Sequence, residues 1–148
     1  MAASIGQFGV ITINGNCIAY SYDQDKDGAL AGDGSESLGF RLNAGAVQSG
    51  TSVDCAGAGN WEGITSAEVA VTALTFTEDA ADSIIYEVVG DGVDGNADDF
   101  ADCDVGGETC LHRRKINIVL TGALAADATV TASLRDDVKI KNDRYFVN

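Results

Sequence analysis

Proline is absent from these 148 residues, histidine, tryptophan and methionine occur once each, and only 9 Lys and Arg stand against 23 Asp and Glu. Without proline the 18 glycines form no collagen-like repeat, and with 45% hydrophobic residues the composition describes one compact domain, spanning 1–148, rather than a disordered tail. A chain of this length buries about two-thirds of the surface its unfolded form exposes, so a core is achievable without a metal or a partner. The single histidine leaves little for acid–base or nucleophilic chemistry. There is no G-x-S-x-G, no H-E-x-x-H and no phosphate-cradling glycine loop in a strand-to-helix setting. Carboxylates are plentiful, but a glycosidase needs a pair across a concave, aromatic-lined cleft, and nothing in the spacing of Trp61 and the tyrosines indicates one. The expectation is a protein that is not an enzyme.

The scarcity of basic residues leaves a formal charge of −14, which repels phosphate backbones and anionic headgroups alike and argues against direct nucleic-acid binding. The imbalance is uneven: residues 1–111 hold 2 basic and 19 acidic residues, whereas 112–148 hold 7 basic and 4 acidic. The basic segment is either a solvated strand face or a surface for an acidic neighbour, with Lys139, Lys141 and Arg144 the candidate contacts. No run of 18 apolar residues exists, so no membrane span is encoded here, and Met1-Ala2-Ala3-Ser4 lacks the pattern of a signal peptide.

Four cysteines with no C-x-x-C suggest two disulfides formed in an oxidising compartment. Of the three connectivities, the spacing favours Cys103 with Cys110, across a bendable six-residue segment, and Cys17 with Cys55. On the loop-entropy model these rings contribute about 2.5 and about 4 kcal/mol. A zinc site drawing on Cys110, His112, Cys103 and Asp104 is the competing reading, although the spacing is unlike the usual knuckles.

Strand signals dominate. Residues 8–14 alternate and stop at Gly15-Asn16 before a second run at 17–22, and 38–42 and 46–48 flank Asn43-Ala44-Gly45 as a hairpin, with Gly45 free to take positive φ. Residues 69–77 carry apolar groups on both faces, as a central strand does; a buried helix from Ser66 is the rival. Residues 83–89 form the next strand after a polar turn at 78–82. At the end, 115–124 and 130–141 predict an antiparallel hairpin across 125–128. Val130, Ala132, Leu134, Asp136, Val138 and Ile140 would share its buried face, with Asp136 met by a bulge or by Arg113 or Arg114. No helix longer than ten residues is evident, which gives an α+β class, mainly β and antiparallel.

One acidic loop stands out. Asp23-Gln24-Asp25-Lys26-Asp27-Gly28 repeats the opening of a calcium loop, where alternating carboxylates converge on one hard cation and glycine permits the sharp sixth-position turn. The twelfth position is Gly34 instead of glutamate, so the ligand set would be Asp23, Asp25, Asp27, Asp33 and Glu36 in a looser cage. Calcium is the implied cofactor, and a solvated acidic turn the alternative. Residues 91–99 are similarly acidic, without a template, and read as ordinary loop.

Several blocks in order, Cys17-Ile18-Ala19-Tyr20-Ser21-Tyr22-Asp23, Glu36-Ser37-Leu38-Gly39-Phe40-Arg41-Leu42, Trp61-Glu62-Gly63-Ile64-Thr65, Leu74-Thr75-Phe76 and the strand pair ending at Val138–Tyr145, resemble PilW-like minor pilins of type IV pilus systems. The resemblance covers about residues 17–148. It implies a pilin-like antiparallel sheet domain whose N-terminal apolar helix is truncated. That helix would hold the subunit in the inner membrane, with this domain periplasmic, until assembly into a surface pilus. The implied partners are other minor pilins and the major pilin, and the implied work is packing that primes or caps the fibre. The resemblance also pairs Cys17 with Cys55, makes 91–110 an insertion and supplies no catalytic residues. A type II secretion pseudopilin, or a calcium-stabilised extracellular adhesion module, are the alternative functions.

Overall fold

In the computed structural model the described residues are 11–21, 36–87, 109–140 and 144–147, and they form eleven strands with no helix. These are β1 (Ile11–Asn14), β2 (Cys17–Ser21), β3 (Ser37–Asn43), β4 (Ala46–Thr51), β5 (Asn60–Gly63), β6 (Val69–Glu78), β7 (Ile84–Glu87), β8 (Thr109–Arg113), β9 (Lys115–Leu124), β10 (Asp127–Lys139) and β11 (Arg144–Val147). The mainly-β antiparallel expectation holds. The chain clusters into two compact units, one of residues 1–77 with 117–137, the other of 78–116 with 138–148.

The first unit contains a five-stranded antiparallel meander ordered β1-β2-β3-β4-β5. Asn14 faces Cys17 across the Gly15-Asn16 turn, and Asn43 faces Ala46 across Ala44-Gly45. Ala44 and Gly45 both have positive φ, 50° and 79°, the type I′ geometry whose twist matches the strands it joins. This hairpin lies where the sequence places it. Close approach sets β3 and β4: Gly39 faces Gly50, and Gly50 faces Trp61 of β5. The indole and Val53 cover this glycine floor, and a Cβ on Gly39 would sit 2.9 Å from Val53 Cγ2 and 3.0 Å from Trp61 Cη2. Arg41 completes the cover, its guanidinium 4.3 Å from the Trp61 ring centroid and its Nε donating to Gln48 Oε1 at 2.8 Å.

The buried apolar side chains described in this unit are Cys17, Ile18, Ala19, Val47, Val53, Val71, Leu74, Phe76 and Ala123. Val71, Leu74 and Phe76 lie on β6, which is a strand and not the rival helix. It is nonetheless no central strand: in the order β10-β9-β6 it ends its sheet. Its outer edge is satisfied otherwise, by the Val71 N–H donating to Gly45 O at 2.8 Å and the Phe76 N–H to Gly15 O at 3.2 Å, so the two hairpin turns of the meander close it. Apolar residues appear on both faces in the sequence because the buried phase slips by one residue at Thr72-Ala73, from Val71 to Leu74 and Phe76, as an extra residue in a strand produces.

The second unit holds a three-stranded antiparallel sheet ordered β11-β8-β7, with Arg144 opposite His112 and Glu87 opposite Cys110. The polar turn at 78–82 is organised by Lys115. Its ammonium lies 2.6 Å from Asp82 Oδ2 and 3.5 Å from Asp79 Oδ2, while its carbonyl accepts the Asp79 N–H at 2.8 Å.

Candidate functional site

Among the described residues two regions can carry interactions: the corner stapled by cystine and the C-terminal hairpin. At the corner, Cys17 on β2 and Cys55 in the β4–β5 connection form a disulfide with a Cα–Cα distance of 5.7 Å, the expected pairing. Cys17 is buried, so one end of the staple is anchored in the core. The other end sits in a loop held by Asp54, whose Oδ1 accepts the N–H groups of Ala56, Gly57 and Ala58 at 2.8–2.9 Å. That carboxylate gathers the loop into a hydrogen-bonded lobe. Beside it lies an open cavity of about 440 Å³, with Thr12, Tyr20, Ser37, Val53 and Asp54 among its lining residues. The Ser37 hydroxyl donates to Val53 O at 2.9 Å, tying the lobe to β3.

The hairpin departs from expectation. Leu124 and Asp127 bracket a turn of two residues, Ala125-Ala126, and Asp127 Oδ1 accepts both the Thr129 hydroxyl at 2.6 Å and the Thr129 N–H at 3.0 Å. The Thr129 hydroxyl, and then its amide, hold the Asp127 carboxyl below the usual carboxylate range. Beyond this cap, β10 is exposed along all 13 residues, with Val130 50%, Leu134 64% and Val138 47% accessible. The alternation was expected to mark a buried face; it marks instead an apolar stripe open to solvent. Asp136 therefore needs neither bulge nor cation, and its Oδ1 accepts the neighbouring Asp137 N–H at 2.8 Å. Arg114, one of its expected partners, lies 3.6 Å from Glu78 Oε1.

Of the basic residues expected to meet a partner, Lys139 ends β10 and is exposed, Arg144 opens β11, and Lys141 lies outside the described residues. Of the expected calcium ligands, Asp23, Asp25, Asp27 and Asp33 also lie outside them. Glu36 is described and buried at 7% exposure, and among the described residues no group of acidic, histidine and cysteine side chains is placed to hold a metal. Cys103 and Asp104 lie outside as well, as does 91–108 of the expected insertion; Cys110 and His112 belong to β8. Sequence reasoning missed the Asp54 lobe, for which Asp54 followed two residues after Cys55 by Gly57 was the available signal. No helix among the described residues is long and apolar enough to cross a membrane.

A family model described as prepilin peptidase-dependent protein B matches residues 2–140. No curated protein and no solved structure matches the chain.

Proposed function

Since the chain belongs to the prepilin peptidase-dependent protein B family, which links it to type IV pilin-processing systems, we propose that it is the folded domain of a PilW-like minor pilin that packs with other pilins to prime or cap pilus assembly. The family match carries this reading. Three features of the fold support it: a β domain with a long exposed strand suited to docking, a cystine staple suited to an oxidising periplasm, and a basic C-terminal segment on an otherwise acidic chain. The work is non-enzymatic: the domain presents side chains and strand edges to neighbours, and Lys139, Lys141 and Arg144 meet an acidic surface of one of them. In this reading it is periplasmic before assembly and on the cell surface afterwards.

The test is co-purification of the other minor pilins and the major pilin with this domain, alongside counts of surface pili. Charge reversal at Lys139, Lys141 and Arg144 together is expected to reduce both. Unchanged capture and unchanged pilus number would reject the basic surface as a docking element.

A further inference from the structure

β10 is 13 residues long, against about 5–6 for an ordinary strand, and it ends the sheet β10-β9-β6. Edge strands are normally blunted by brevity, proline, a bulge or charged side chains, because a row of open N–H and C=O groups is a template for pairing, and of these β10 has only charges, of both signs: Asp127, Arg135, Asp136, Asp137 and Lys139. The chain has no proline, and β10 is not short. We infer that β10 pairs antiparallel with the β10 of a second copy of this chain, about a two-fold axis at Leu134, joining two three-stranded sheets into one of six strands.

The occupant follows from sliding the strand against itself. Only registers that set even residues against even ones keep Val130, Leu134 and Val138 of both copies on one face. Centred on Leu134, the register places Leu134 opposite its own copy, Val130 opposite Val138, Ala132 opposite Asp136, Ser133 opposite Arg135, Thr131 opposite Asp137 and Thr129 opposite Lys139. No like charges stand directly opposite, the two Arg135 side chains being diagonal neighbours, and the apolar side chains of the two copies run on as one stripe. Asp136 faces the small Ala132 on an open sheet face and keeps its water. The neighbouring registers are worse. Centring on Ala132 sets Asp127 against Asp137, centring on Ser133 sets Asp136 against Val130, centring on Arg135 sets that cation against itself, and centring on Asp136 does the same with two carboxylates.

Charge points the same way. From Lys115 to Lys139 the hairpin carries Lys115, Arg135 and Lys139 against Asp127, Asp136 and Asp137, so it is neutral within a chain of formal charge −14. Two copies that repel elsewhere meet here without penalty. The inference uses the same exposed strand that the pilin reading offers to neighbours, but its test is separate, since dimerisation of the isolated chain is read without any pilus component.

Sedimentation of the chain over a concentration series, joined to cysteine trapping, tests it. A monomer–dimer equilibrium is expected, weakened at least tenfold by Leu134→Lys, which sets two ammonium groups opposite each other, and unchanged by Ile64→Lys at another exposed apolar position. Under mild oxidation Leu134→Cys should trap a covalent dimer. Val130→Cys and Val138→Cys should each trap none alone but cross-link when mixed. The substituted positions are all exposed in the monomer, so at concentrations where the parent is monomeric the unfolding midpoint should stay at the parent value. A monomer at every concentration overturns the inference and leaves the β10 edge to a strand of another protein. A dimer that Leu134→Lys does not weaken, or that Val130→Cys traps alone, overturns the register.

Discussion

Replacing Gly50 by alanine gives the sharpest test of the glycine floor under Trp61. The new Cβ would lie 2.5 Å from Val53 Cγ1, 2.6 Å from Asn60 O and 3.1 Å from Trp61 Cε3. Val53 is a buried side chain with little room to turn, and the Asn60 carbonyl belongs to the β4–β5 ladder, so neither obstacle yields cheaply. Overpacking of this kind costs about 1–3 kcal/mol, and a backbone obstacle places Gly50→Ala at the upper end. For a chain of this length that lowers the Tm by about 5–10 °C. Gly63→Ala is the matched control: it stands on neighbouring β5, where an added Cβ meets nothing within 4 Å, and should change stability by no more than about 0.5 kcal/mol. Urea unfolding followed by the fluorescence of Trp61, the single tryptophan, reads the affected unit directly. Val53→Ala in the Gly50→Ala background should recover about 1 kcal/mol relative to additivity, because it removes one of the two obstacles. Gly50→Ala as stable as the parent, or Gly63→Ala equally damaging, would refute the packing argument.

Other expectations follow from the same geometry. Cys55→Ser should destabilise the first unit by about 4 kcal/mol, the loop-closure value for a sequence separation of 38, and reductant should shift the parent more than this variant in the same denaturation assay. Thr129→Val should return the Asp127 carboxyl toward its ordinary range in an NMR titration. A depressed folded-state pKa contributes stability above the unfolded value that is lost as pH falls through the folded one, so the parent hairpin should lose this cap only in acid below the usual carboxylate range. Leu74→Ala, at 4% exposure, should cost about 2–5 kcal/mol, whereas Leu134→Ala, at 64%, should stay within about 0.5 kcal/mol of the parent by thermal unfolding.

What the sequence made legible was local. The hairpin at β3 and β4 is written in its turn, because a two-residue connection with positive φ at both positions favours the glycine found at Gly45. The Cys17–Cys55 staple followed from spacing and parity. Burial was less legible, because alternation reports which side chains share a face and not whether anything covers that face. β10 therefore presents the strongest period-2 pattern in the chain and is the most exposed of the strands whose burial is described. β6 misled in the opposite sense, since a phase slip at Thr72-Ala73 made one buried face look like two. β5 and β8 are too short and mixed in composition to show a period, and their existence depends on the partners they pair with, β4 for the one and β7 and β11 for the other.

The central claim, that this domain serves in a pilus, is tested most directly by asking whether it travels with the fibre. Pili sheared from cells expressing the native gene should contain the domain by immunodetection, and it should vanish from that fraction in cells lacking prepilin peptidase while remaining in the cell-associated fraction. Equal amounts in the sheared material with and without the peptidase, or none in pili that assemble normally, would contradict the account.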